Sequence, residues 1–209
     1  MSDFWDTPIE ESHQFEVDLN TVVVVNHDFT MESIDRDEEK EISKLEKSLV
    51  GKDHEVVRSF TDPLAKFYED LRKAARNMAM VAVVTRFGHW VQGYEAAIPA
   101  QHRNQVKDRS RLIGQLRDLN KYLGVGPVPV EFFAALVDVR DSVIHADSRA
   151  QWERKNGDLR QVEKRYVKEN GDELDLSEDE LREAVEKTKA QIIWYDERLH
   201  AMRKEPSQP

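Results

Sequence analysis

The chain has 209 residues, of which 39% are apolar and 34% charged, with a mean hydropathy of −0.70. This is the balance of a helix-rich domain long enough to bury a core. It contains no cysteine, which excludes a disulfide scaffold, cysteine-ligated zinc, iron–sulfur clusters and a thiol nucleophile. No apolar run approaches the length of a membrane span. The acidic opening MSDFWDTPIEES lacks the basic and apolar regions of a signal peptide, so a cytoplasmic location without a membrane partner is expected.

The net charge of −10 is uneven: −10 over residues 1–50, +1 over 51–100, +4 over 101–170 and −5 over 171–209. Two basic clusters lie in the middle. One comprises Arg103, Lys107, Arg109, Arg111, Arg117 and Lys121; the other runs from Arg149 through Arg154, Lys155 and Arg160 to Lys168. A solvated helix face and hairpin account for them structurally, and a local nucleic-acid strip accounts for them functionally.

Residues 1–34 read as an acidic N-terminal arm, with TVVVV (21–25) as a short strand or an extended segment and Asn26-His27-Asp28 as a turn. Residues 35–209 form the main helical domain. Its first helix carries Ile42, Leu45 and Leu49 on one stripe and stops near Gly51. Thr61-Asp62-Pro63 marks the next helix start. From there Leu64, Phe67, Leu71, Ala74, Ala75, Met78 and Ala82 recur at helical spacing, and the pattern reaches about Ile98. A helix over 106–123 buries Leu112, Ile113, Leu116, Leu119 and Leu123 and ends at Gly124. The connector GVGPVPV leads to a helix from about Pro129 to His145 or Asp147. A small β-hairpin over about 162–176 turns at Asn170-Gly171. Ser177-Glu178-Asp179-Glu180 is a capping box opening a long final helix with Leu181, Val185, Thr188, Ile192, Tyr195, Leu199 and Met202 on its seam. The fold class is therefore an all-α bundle with an N-terminal arm and a hairpin insertion.

The helix VEFFAALVDVRDSVIHAD carries the chemistry. Its stripe Phe133, Val137, Ile144 has Arg140 where an aliphatic residue is expected, and a guanidinium on an apolar seam needs a carboxylate, a second chain or a phosphate. His145 lies about 140° around the helix from Arg140. Asp141 lies one turn from His145 and is placed to orient its ring. Structural readings stand beside these: a salt bridge of Arg140 with Asp138, Glu95 or a partner chain, and a helix-terminal role for His145.

Arg140-Asp141-Ser142-Val143-Ile144-His145 resembles the R-x4-6-H motif of HEPN domains. The order of elements around it over roughly residues 60–204 is similar too: a long helix with RFGHWVQGYEAAI, a second helix, a connector, the motif, then a final long helix. The resemblance implies a HEPN-like bundle that homodimerises and acts as a metal-independent endoribonuclease, without cofactor or metal, in a defence or toxin–antitoxin setting with RNA and an antitoxin or defence protein as partners. It assigns Arg140 to charge on the reacting phosphate, His145 to proton transfer and Asp141 to orienting His145 in a composite dimeric site; Arg149, Arg154 and Lys155 would bind RNA. The chain departs from some HEPN toxins in carrying Asp147 rather than tyrosine two residues after the histidine. The other reading of the resemblance is a non-catalytic nucleotide-binding or scaffold protein. Trp90 and Tyr94 read as packing residues, and His13, His27, His54, His102 and His200 show no ligand spacing.

Overall fold

The computed structural model describes residues 8–99, 111–145, 154–155, 158–159 and 173–204. Six α-helices are present among them: α1 (Pro8–Leu19), α2 (Asn26–Ser48), α3 (His54–Ala97), α4 (Arg111–Leu123), α5 (Val130–His145) and α6 (Glu178–Lys204). A π-helical segment, Asn20–Val25, joins α1 to α2. Two two-residue strands, β1 (Arg154–Lys155) and β2 (Asp158–Leu159), pair antiparallel. The architecture is an all-α bundle, and no described helix is long and apolar enough to cross a membrane.

The spine is α3, whose 44 residues extend about 66 Å at 1.5 Å each. Its buried stripe is Met80, Val83, Val84, Phe87, Val91 and Tyr94, continuing to Ile98 at the helix end. Helix α5 packs on it through the stacked rings of Phe87 and Phe133, 4.5 Å apart. Helix α4 contributes the expected stripe, with Leu112, Ile113, Leu116, Leu119 and Leu123 all buried. Gly124 ends it at φ +99°, a conformation that favours glycine. Helix α6 completes the core with Leu181, Val185, Thr188, Ile192, Tyr195 and Leu199, leaving Met202 exposed. Its start is the predicted capping box: the Ser177 N–H and hydroxyl donate to Glu180 Oε2 at 2.7 and 2.8 Å, and the Glu180 N–H donates to Ser177 Oγ at 3.2 Å. In the connector, Gly126 leaves room for the buried Gln191 amide, whose Oε1 accepts the Val128 N–H at 3.3 Å.

Two sequence expectations are corrected. The valine run is helical, not a strand: Phe15, Leu19, Val23 and His27 all point into the molecule. Steps of four drift about 40° each around an α-helix, and the π segment takes up that drift by widening the turn. Packing thus overrides the β-propensity of valine, and Phe15, Leu19 and Val23 join the core. Second, α3 starts at Asp53, whose carboxylate accepts the Glu55 N–H at 2.9 Å, and Pro63 lies inside the helix. Along the stripe from Leu64 to Ala82, Phe67, Leu71 and Met78 are exposed, whereas Ala82 packs against the core. The hairpin expected over 162–176 lies outside the described residues up to 172; beyond it, Leu174 and Leu176 are buried in the core.

One polar network crosses this core. Tyr94 donates to Asp196, which lies beside Ser12, so α1, α3 and α6 meet at one carboxyl. Asp196 Oδ2 has no hydrogen-bond partner among the described residues. Burial, opposed by the hydrogen bonds from Tyr94 and Ser12, pushes this carboxyl up from 3.8 to about 6.

Two outcomes follow. Leu19→Ala should cost about 2–5 kcal/mol in denaturant unfolding, as for any buried leucine; a loss within about 0.5 kcal/mol would place α1 outside the core. Because folding raises the Asp196 pKa, the folded state holds the extra proton, so stability contributed by this group falls as pH rises from 3.8 to about 6. Asp196→Asn should flatten that part of the curve of melting temperature against pH; an unchanged slope would contradict the assignment.

Candidate functional site at the end of α5

Helix α5 begins after Pro129, whose carbonyl accepts the Phe132 N–H at 3.1 Å. It buries Phe132, Phe133, Ala135, Leu136, Val137, Val139 and Ser142. The deepest line is Phe132, Leu136 and Val139, one residue off the expected seam. A one-residue offset turns the helix by about 100°. Arg140 therefore sits at the edge of the packed face, not within it, with its side chain 28% exposed. The expected seam runs out of the core here: Phe133 and Val137 are buried, whereas Ile144 is 52% exposed. His145, the last residue of α5, is exposed.

The Arg140 guanidinium has an acidic partner. Its Nε and Nη2 donate to Asp141 Oδ1 at 2.9 and 2.6 Å. Asp141 was assigned to orient His145; here its carboxylate engages the arginine instead. Glu95, another expected partner of Arg140, accepts a hydrogen bond from Gln115 Nε2 at 2.8 Å. Asp141 lies one turn before His145 on the helix. Arg140 and Asp141 are half-buried in the last turns of α5, and His145 is exposed at its end. Of the assigned RNA-binding residues, Arg154 and Lys155 lie on β1, and Arg149 lies outside the described residues, as does Asp147. Trp90 and Tyr94 pack in the core, Trp90 edge-on to Phe15 with ring centroids 5.5 Å apart.

A second polar cluster escaped the sequence reading. His27 is buried, and its Nε2 lies 3.0 and 3.1 Å from the two carboxylate oxygens of Glu178 at the start of α6. With Asp28 these residues could offer one nitrogen and two carboxylates to a metal ion. Arg182 lies 3.8 Å from Asp28 and 3.7 Å from Glu178, so a guanidinium already supplies positive charge there. The cluster reads as a link fastening the start of α2 to α6. Its partners are 151 residues apart, a separation no local spacing reveals.

Comparison with protein-family models, curated proteins and solved structures finds no match to this chain.

The Arg140–Asp141 pair is partly exposed, and such pairs contribute little to folding. Asp141→Ala should therefore shift unfolding stability by less than about 1 kcal/mol. A loss of several kcal/mol would make Asp141 a structural residue of the bundle.

Proposed function

We propose that this chain is an endoribonuclease of the HEPN type, acting on RNA from the exposed end of α5 by a mechanism that requires no metal ion. The observation that carries the reading is a partly exposed guanidinium at the edge of the packed face, held by Asp141, with His145 exposed at the end of the same helix.

RNA brings its own nucleophile, the 2′-hydroxyl. His145 takes the proton of that hydroxyl as its oxygen attacks the adjacent phosphorus. Arg140 stays charged and offers planar donors to the phosphorane oxygens, which carry the growing negative charge. The bond from phosphorus to the 5′-oxygen breaks, and that oxygen takes a proton from His145 or water. The products are a 2′,3′-cyclic phosphate and a 5′-hydroxyl. Asp141 positions the arginine. Arg149, Arg154 and Lys155 follow α5 in the chain and would guide the phosphate backbone. A role in defence or as a toxin, held in check by a partner protein, belongs to the same proposal.

A non-catalytic interaction protein is the second reading, favoured by the exposed apolar face of α3. Incubation of single-stranded RNA with the full chain separates the two. The nuclease reading expects cyclic-phosphate ends, lost by about 10²–10⁴-fold in His145→Ala and abolished in Arg140→Ala, with helical circular dichroism unchanged. No cleavage by the unaltered chain, or full cleavage by either variant, would leave the interaction protein.

A further inference from the structure

The first half of α3 carries an apolar seam that the described residues leave largely open. Val57, Phe60, Leu64, Phe67, Leu71, Ala74, Met78 and Val81 follow in alternating steps of three and four, the heptad signature of a helix that packs along its length against another helix. Leu71 and the buried Met80 are nine residues, or two and a half turns, apart, so the seam points away from the core. Helix α2 does not cover it. It lies along the neighbouring flank, where Tyr68 is buried and Arg72 pairs with Asp35 and Glu38. Phe60 and Phe67 each remain 54% exposed and Met78 61%. From residue 28 to residue 67 no side chain is buried, so this hairpin is a two-helix layer with one open face, where a stable helical unit packs a further layer. Beside the seam runs an apolar groove with Ile34 on its α2 wall and Leu71, Ala74, Ala75, Met78 and Ala82 along α3.

We propose that a second copy of this chain occupies this face, packing antiparallel about Leu71 so that Phe60 and Phe67 of each copy enter the alanine-lined groove of the other. The sequence is self-complementary about that point. Four residues before Leu71 is Phe67 and four after is Ala75; seven before is Leu64 and seven after is Met78; eleven before is Phe60 and eleven after is Ala82. Reversing the helix sets each aromatic ring against an alanine, whereas a parallel, in-register pairing sets Phe67 against itself and leaves a void at Ala75. Knob and hole lie on one surface, as a two-fold interface requires. The area also suffices. From Val57 to its counterpart Thr85 the seam runs about 42 Å, and across two helices each about 10 Å wide it offers about 800 Å² per copy, the size of a standard stable interface. This face is separate from the end of α5, so the proposal does not rest on the nuclease reading.

The chain's lack of cysteine allows a direct test. Under mild oxidation Leu71→Cys should form a covalent dimer with itself, Phe60→Cys alone should not, and an equal mixture of Phe60→Cys and Ala82→Cys should cross-link. Light scattering should give the full chain twice its 24.4 kDa mass, and Phe67→Glu should halve that mass with circular dichroism unchanged. Arg140→Ala should leave the mass alone, so loss of nuclease activity and loss of this interface are read separately. A full chain at 24.4 kDa, a Phe67→Glu variant that keeps the doubled mass, or a Phe60→Cys variant that cross-links to itself as readily as Leu71→Cys would overturn the proposal.

Discussion

The face of α3 from Met80 to Ile98 is the surface on which the rest of the structure depends. Phe133 of α5 stacks on Phe87, Leu112 of α4 lies against Gly88, and Asp196 of α6 meets Tyr94. The N-terminal helix closes the same core through Phe15 on Trp90 and through Ser12 on Asp196. Since each of these contacts uses the same few turns, the helices cannot be rearranged singly. The N-terminal half of α3 extends past them and, among the described residues, pairs with α2. The molecule therefore has an enclosed bundle and an open two-helix hairpin on one continuous helix.

That division shapes where chemistry can occur. The end of α5 emerges from the packed region with Arg140 at its margin and Ile144 and His145 in solvent. An arginine at the centre of the packed face would be consumed by the fold, because a buried charge must be neutralised internally. At the edge, paired with its neighbour Asp141, it is positioned yet reachable. The Tyr94–Asp196–Ser12 network and the His27–Glu178 link lie on the other side of the same reasoning. The first is buried and the second part-buried, and both join the N-terminal helical segment to α6, so they read as fastenings of the bundle.

Local signals were legible in the sequence wherever a residue's role is set by its near neighbours. The Ser177–Glu180 box, the Gly124 stop and the stripes of α4 and α6 all lie where the pattern places them. Periodicity shows that a helix has an apolar face but not what covers it. The α3 stripe through Phe67, Leu71 and Met78 is genuine, and it faces outward. Asp62-Pro63 carries the chemistry of a helix start, yet the turn before it is capped by Asp53. The valine run suggested a strand because β-branched residues favour one, whereas Phe15, Leu19, Val23 and His27 needed a helix to reach the core. At the site, Arg140, Asp141 and His145 were all singled out from the motif. The offset of the buried line by one residue moved Arg140 to the edge and turned Asp141 from the histidine to the arginine. His27 with Glu178 was invisible because only the tertiary fold brings them together.

Hydrogen exchange along α3 measures the two halves of this helix in one experiment. If the bundle alone holds residues 80–97, while residues 54–74 await a second copy, protection of the C-terminal half should be high at every protein concentration. Protection of the N-terminal half should rise with concentration. Uniform protection along all of α3, unchanged on dilution, would contradict the account.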